Sequence, residues 1–122
     1  MRVFPRNFSK YKAVKVTTPT GEKFDSGLEY KRWLYLKQLE ANGEIKDLRR
    51  QVPYELIPSQ KGPDGKVLFR ELKYVADFVY TIAKTGEEVV EDTKGIILPE
   101  FKLKMKLMYW MRIKANLQRK CI

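Results

Sequence analysis

The sequence predicts a mixed α/β (α+β) fold in which a β-sheet is flanked by helices. Two short runs rich in Val, Tyr and Phe, Tyr74–Tyr80 and Val89–Lys94, are typical of buried strands. Two longer segments, 25–41 and 101–118, carry apolar residues at helical spacing. With 122 residues, 43% of them hydrophobic, the chain is long enough for one core, so we assign residues 1–122 to a single domain.

The N-terminal region is predicted to contain an arm and a hairpin. Residues 1–10 are basic and irregular, which predicts a flexible arm. Residues 11–18 alternate well enough for a strand, and the turn residues Pro19–Gly21 allow residues 22–24 to pair back on it.

The first helix is predicted from its start and stop signals. Ser26 and Glu29 have the three-residue spacing of a capping box, in which the serine accepts a hydrogen bond from the third residue of the helix. The helix runs to about Ala41, because Asn42 and Gly43 are typical residues at a helix C-terminus.

Three further strands are predicted between the two helices, at 45–57, 67–82 and 87–94. A polar loop at 58–65 separates the first two, and the second strand bends near Glu71. The element order is therefore β-β-α-β-β-β-α, which suits a mixed sheet flanked by helices. In the second helix a 3–4 spacing defines the apolar face, which contains Leu103, Leu107 and Trp110 or Met111.

Charged residues interrupt the two most apolar strands. Asp77 lies within one of them, and Asp92 and Lys94 lie two residues apart in the next. Strand alternation places Asp92 and Lys94 on the same face. A charge in a buried strand is costly unless it is paired. Two carboxylates and an ammonium group near one another predict a site for a hard divalent cation and a phosphodiester.

The arrangement of Asp77 followed by Asp92-Thr93-Lys94 resembles the signature of the PD-(D/E)xK nuclease superfamily. More narrowly, three blocks, Phe24–Glu29, Tyr74–Tyr80 and Val90–Gly95, resemble a family of small phage and prophage proteins. That family is labelled either a domain of unknown function or a proposed Holliday junction resolvase. The likeness extends from about residue 11 to about residue 113. The proline of the signature is replaced here by Ala76, a position that varies widely among these nucleases.

The resemblance implies a restriction-endonuclease-like fold and a DNA endonuclease that requires Mg²⁺ or Mn²⁺. Asp77 and Asp92 are the predicted metal ligands, and the resemblance adds the backbone carbonyl of Thr93. Lys94 would orient the attacking water or help to deprotonate it, and would stabilise negative charge on the phosphate in the transition state. The cation would polarise the scissile phosphate and lower the pKa of the water.

Glu29 has two alternative interpretations. As a capping-box glutamate it would bond the N-terminus of its own helix. The resemblance instead implies an acid on the first helix that faces the metal site, where it could bind a second metal or a metal-bound water. Glu91 should point to the face opposite Asp92, and Asp25 is interpreted as a turn or capping residue.

The charge of the chain predicts a polyanionic partner. Lys and Arg outnumber Asp and Glu by 25 to 15, which gives a net charge of +10, and nucleic acid is the usual partner of such a domain. Basic residues on the second helix, in the segment predicted as the strand at 45–57 and near the N-terminus are the candidate contacts to the DNA backbone. They are Lys102, Lys104, Lys106, Arg49, Arg50 and Lys12, with Arg2, Arg6 and Lys10 as further candidates.

The chain contains no histidine and one cysteine, Cys121. These counts exclude Ser-His-Asp and Cys-His nucleophiles, His-dependent nucleases and a zinc cluster, and they fit a reducing cytoplasm. No segment has the length and hydrophobicity of a membrane span or signal peptide. We therefore expect no membrane partner and no nucleotide cofactor.

The leading hypothesis is a phage- or prophage-encoded endonuclease in the cytoplasm of a bacterial host, which acts on branched DNA such as a Holliday junction. Symmetric cleavage of a junction needs two sites, so a homodimer is expected. One alternative is a nicking or end-trimming nuclease of the same fold. Another is a non-catalytic basic DNA-binding protein in which the acidic residues form structural ion pairs.

Overall fold

A computed structural model describes residues 2–7, 15–94 and 97–120 of the chain. The chain divides into two compact units. The first unit consists of Met1–Val52 and Ala76–Ile97, and the second unit consists of Pro53–Val75 and Leu98–Ile122. The assignment of the chain to a single domain stays a prediction. No helix in the described residues is long and apolar enough to cross a membrane.

The secondary structure confirms the predicted mixed α+β class. The helices are α1, Gly27–Ala41, and α2, Pro99–Lys120. The strands are β1 (Arg2–Asn7), β2 (Val16–Thr17), β3 (Lys23–Phe24), β4 (Ile45–Ile57), β5 (Gln60–Lys61), β6 (Val67–Phe69), β7 (Leu72–Ile82) and β8 (Glu88–Lys94).

The main sheet has four strands in the order β1-β8-β7-β4. β7 and β8 are antiparallel, with Phe78 opposite Glu91. β1 is parallel to β8, so the sheet is mixed. The prediction of a flexible arm was wrong for residues 2–7, because pairing with β8 satisfies backbone groups on both strands. Residues 8–10 lie outside the described residues.

Two short hairpins accompany the sheet. β2 pairs with β3, which confirms the predicted hairpin, although the start of its first predicted strand lies outside the described residues. β5 pairs with β6 where a loop at 58–65 was expected. The reason is the turn Gly62–Gly65, in which Gly65 adopts the left-handed region (φ 81°) that glycine tolerates best.

α1 begins and ends where the sequence signals predict. The Ser26 hydroxyl accepts a hydrogen bond from the Glu29 N–H at 3.1 Å, and Gly43 follows the helix with φ 78°. Leu36 is fully buried against Phe78, whose ring stacks on Trp33 at 6.0 Å. α1 therefore covers one face of the sheet in the first unit.

α2 buries a different face from the one that its spacing predicted. Phe101 and Met108, seven residues apart, are buried, whereas Leu103 and Trp110 are exposed. The ring of Phe101 packs edge-on against Tyr74 at 6.1 Å. The apolar residues of α2 are distributed around the helix, so spacing alone did not identify the buried side.

A buried carboxylate joins α1 to the sheet. Glu91 has no exposed surface, and its two oxygens accept hydrogen bonds from Nε and Nη2 of Arg32. The Tyr80 hydroxyl also donates to Glu91, at 2.9 Å. Burial, and then the negative charge of Glu91, raises the pKa of Tyr80 to about 12, so this hydroxyl keeps its proton near neutral pH. The pair explains how a charged residue is accommodated inside the sheet.

Replacement of Arg32 by Met should destabilise the protein by about 3 kcal/mol, because it leaves the charge of Glu91 buried without its ion-pair partner. Tyr80→Phe should cost about 1 kcal/mol, the contribution of one hydrogen bond. Urea unfolding at neutral pH measures both. Lys31→Met, at an exposed position of the same helix, is the control and should change little. An Arg32→Met protein as stable as the wild type would contradict this account of the pair.

Candidate functional site

The candidate site lies in the first unit, where side chains from α1, β4, β7 and β8 meet. Asp77 on β7 is half-buried, and both its oxygens accept hydrogen bonds. Oδ2 accepts from the backbone N–H of Thr93 at 2.8 Å and from the Thr93 hydroxyl at 2.6 Å. Oδ1 accepts from Nε2 of Gln51 at 3.4 Å. The strand that carries the predicted D-x-K tripeptide therefore contacts Asp77 directly.

Glu29 reaches the same place from the first turn of α1. Its side chain is 2% exposed, and its Oε1 accepts a hydrogen bond from Nε2 of Gln51 at 3.1 Å. Its Oε2 accepts from the backbone N–H of Asp25 at 3.3 Å. The two interpretations of Glu29 are thus compatible, because one oxygen bonds the start of its own helix and the other faces the group that also contacts Asp77.

The nearby carboxylate of Asp77 affects the pKa of Glu29. Burial raises this pKa above its usual value of 4.5, and the negative charge of Asp77 raises it further. The folded state therefore binds a proton more tightly than the unfolded chain. The contribution of Glu29 to stability is therefore fully present below about pH 4.5 and is lost as the pH rises through the raised pKa of this group.

Gln51 is a member of the site that the sequence did not indicate. Its side chain is exposed, and one nitrogen, Nε2, donates to Glu29 and to Asp77. Its backbone has φ 53°, in the left-handed region that costs a residue with a side chain about 1–2 kcal/mol. Strained backbone of this kind concentrates at functional sites. Positive φ at a glutamine has no sequence signature, which is why the pattern analysis missed it.

The remaining predicted members of the site differ in what the structure describes. Asp92 is fully buried on β8. Lys94 ends β8 opposite Asn7 of β1, and its side chain lies outside the described part of the chain. Within that part, no group of three or more His, Cys, Asp or Glu residues is arranged to hold a metal ion. Glu29 and Asp77 share a hydrogen-bond donor, the side-chain amide of Gln51.

Comparison with known proteins places the chain in a family. A family model described as "Protein of unknown function (DUF1064)" matches residues 8–122, almost the whole chain. The chain belongs to the DUF1064 family. Searches among curated proteins and among solved structures give no match. The three blocks noted in the sequence, and both helices, lie within the part that matches the DUF1064 family.

The basic residues predicted to contact DNA are in three different settings within this DUF1064 chain. Arg50 packs beside the site, with its guanidinium 3.8 Å from the centre of the Phe24 ring and 3.7 Å from Glu29. Arg49 is exposed on β4. On α2, in the second unit, Lys102 and Lys106 are exposed, whereas Lys104 pairs with Glu100. Lys12 lies outside the described residues.

The effect of Asp77 on Glu29 can be measured directly. In Asp77→Asn the pKa of Glu29 should fall, because the second-largest cause of its elevation is removed while burial remains. Carboxyl-detected NMR titration measures the change. Asp25→Asn is the matched control, because it removes a weaker charge and keeps the backbone N–H that bonds Glu29. An equal or larger fall in Asp25→Asn would contradict the pairing of Glu29 with Asp77.

Because the backbone at Gln51 is strained, a glycine variant at this position should be more stable than an alanine variant, the reverse of the usual order. Gln51→Gly should be more stable than Gln51→Ala by about 1 kcal/mol, because only glycine adopts φ 53° without steric cost. At exposed Lys46, also on β4, the glycine variant should instead be the less stable of the two. Thermal unfolding of the four variants tests this. If the alanine variant is the more stable one at both positions, the backbone at Gln51 is not strained.

Proposed function

We propose that this protein is a Mg²⁺- or Mn²⁺-dependent DNA endonuclease of the PD-(D/E)xK type, built on a restriction-endonuclease-like fold. The observation that carries the proposal is the exposed amide of Gln51, which donates to two carboxylates from different elements, Glu29 and Asp77. Two neighbouring carboxylates lower the stability of the fold, because they repel one another and one of them is buried. An arrangement that does not stabilise the fold suggests a functional role.

The donor set fits a hard divalent cation. Mg²⁺ binds oxygen ligands, is often held by only one or two carboxylates, and completes its shell with water and substrate phosphate oxygens. A pair such as Glu29 and Asp77 therefore suffices, even though the described residues contain no group of three acidic ligands. When bound, the cation supplies positive charge that polarises a phosphodiester and acidifies a nearby water molecule.

The residues of the proposed site would have separate roles. Asp77 and Glu29 would hold the cation, with Asp92 and the Thr93 carbonyl as the further ligands that the family resemblance implies. The Thr93 N–H and hydroxyl, which bond Asp77, would fix the orientation of that carboxylate. Lys94 would stabilise the negative charge that develops on the phosphate.

The substrate that we propose is branched DNA, such as a Holliday junction, in phage or prophage recombination or replication in the bacterial cytoplasm. The net charge of +10 supports a polyanionic substrate. Lys102, Lys104, Lys106, Arg49, Arg50 and Lys12 would contact its backbone. Because a junction is resolved by two cuts, the active form would be a homodimer. Nicking or end-trimming by the same site is the closest alternative.

A second candidate is a DNA-binding protein without catalytic activity. It is favoured by the hydrogen bonds that already satisfy both oxygens of Asp77, since these are also what a structural acid would make. It differs from the first proposal in one measurable respect, because DNA would be bound but not cleaved, whether or not Mg²⁺ is present.

Cleavage of labelled four-way junction, flap, nicked and linear DNA tests the endonuclease proposal. We expect Mg²⁺- or Mn²⁺-dependent cutting of the junction and no cutting in EDTA. Asp77→Asn, Asp92→Asn and Lys94→Met should each reduce the rate by about 100-fold or more while DNA binding is retained. Ca²⁺ should support binding without turnover. Glu44→Gln, an exposed acid outside the site, should cleave at the wild-type rate.

The result also separates the candidate functions. Metal-dependent cleavage of flap or nicked DNA alone would keep the mechanism and replace the substrate. Tight binding without cleavage, unchanged in Asp77→Asn, would favour the DNA-binding protein. Normal turnover by any one of the three site variants would remove that residue from the proposed site.

A further inference from the structure

The β5–β6 hairpin exposes three consecutive apolar residues. Val67, Leu68 and Phe69 are 52%, 64% and 65% exposed. Successive side chains of a strand point to opposite faces. Exposure of all three therefore means that both faces of β6 are open to solvent, which is unusual for a soluble protein and typical of an interaction surface.

The hairpin is built to hold its shape. Within the turn, the Gly65 N–H donates to the Gly62 carbonyl at 3.0 Å and the Lys66 N–H donates to the Asp64 carboxylate at 3.0 Å. A second backbone bond runs from Gly62 to the Lys66 carbonyl at 2.9 Å. Leu68 packs so closely over Gly62 that a side chain there would lie 3.4 Å from its Cγ. The apolar side chains are thus presented on an ordered support.

The surroundings of the hairpin are basic. Lys61, Lys66 and Arg70 are exposed beside the apolar residues and outnumber the two exposed acids nearby, Asp64 in the turn and Glu71, which pairs with Lys73. The second unit as a whole contains eleven Lys and Arg residues and four acidic ones, a net charge of +7, so it contributes most of the +10 of the chain. It also contains most of the exposed large apolar side chains in the described residues, of which the first unit contributes only Leu34 and Tyr35.

We infer that the β5–β6 hairpin binds DNA where bases are unpaired, with Phe69 against a base and the flanking basic residues against phosphates. Nucleic acid is the partner that combines negative charge with flat apolar faces, and those faces become accessible only where a duplex is opened. A second copy of the chain fits less well, because self-association through this surface would bring like charges together.

This inference deepens the proposed function and rests on it for the identity of the substrate. A fully paired duplex offers the hairpin phosphates but no accessible base faces, whereas a branch point or bubble offers both. The hairpin would therefore account for a preference for branched or opened DNA, which phosphate contacts alone do not provide.

Fluorescence anisotropy in EDTA, with a bubble duplex and a fully paired duplex of equal length, tests the inference without cleavage. The wild type should bind the bubble more tightly. Phe69→Ala should weaken bubble binding by about 5- to 100-fold, the range for loss of one base stack, and leave paired-duplex binding unchanged. Phe69→Tyr should retain the preference. Tyr35→Ala removes an aromatic residue of similar exposure from the first unit and should behave as wild type.

The inference would be overturned if Phe69→Ala lost affinity equally for both DNAs or lost affinity for neither. It would also be overturned by sedimentation velocity that shows Phe69→Ala converting a dimer into a monomer, because the hairpin would then be a self-association surface. The endonuclease proposal fails separately. If Phe69→Ala selectively loses bubble binding but no DNA is cleaved with Mg²⁺, the inference about binding stands and the catalytic proposal does not.

Discussion

Burial of the Glu91 carboxylate is the constraint on which the first unit depends. A charge with no exposed surface requires a partner, and Arg32 on α1 supplies it across the sheet face. Because Arg32 lies three residues after Glu29, both side chains are placed when α1 docks. Glu91 also directly precedes Asp92. One ion pair thus links the helix that carries Glu29 to the strand that carries the D-x-K tripeptide.

The candidate site, in contrast to the Arg32–Glu91 pair, brings together two groups of the same charge, the carboxylates of Glu29 and Asp77. Burial and the neighbouring Asp77 both disfavour the charged form of Glu29, and the backbone at Gln51 is held in a conformation that glutamine rarely adopts. Such a site lowers the stability of the fold. The packing of Leu36 on the sheet lies in the same unit and offsets this cost, whereas the Arg32–Glu91–Tyr80 network satisfies the buried charge of Glu91. The residues that stabilise the unit and the residues of the proposed site are therefore different members of the same helix and strands.

Much of the fold was predictable because its signals are local. The apolar runs of β7 and β8, the Ser26 cap and the stop at Gly43 each depend on a few neighbouring residues, and the structure confirms them. β1 and β5 were missed because their residues show no apolar alternation, and β6 was predicted only as the start of the longer strand at 67–82. The buried side of α2 was wrong because apolar residues lie on more than one of its faces.

The same distinction applies to the candidate site. Asp77 and Glu29 could be selected from sequence, since an acid in an apolar strand and a capping-box glutamate are both recognisable patterns. Arg32 could not, because its partner is 59 positions away and an arginine on a helix usually faces solvent. Gln51 could not either, because neither its positive φ nor its contact with two acids is encoded by its neighbours.

The amide of Gln51 gives the carboxylate pair an unusual property. It is neutral, yet it donates to both acids, so one uncharged group contacts Glu29 and Asp77 together, while the charge of Arg50 lies on the Glu29 side at 3.7 Å. An amide also presents an oxygen opposite its nitrogen. A half-turn about the terminal side-chain bond exchanges a donor to carboxylates for an oxygen of the kind that Mg²⁺ prefers. In the proposed site, one exposed side chain would therefore serve both the cation-free and the cation-bound form, with no movement of the strand that carries it.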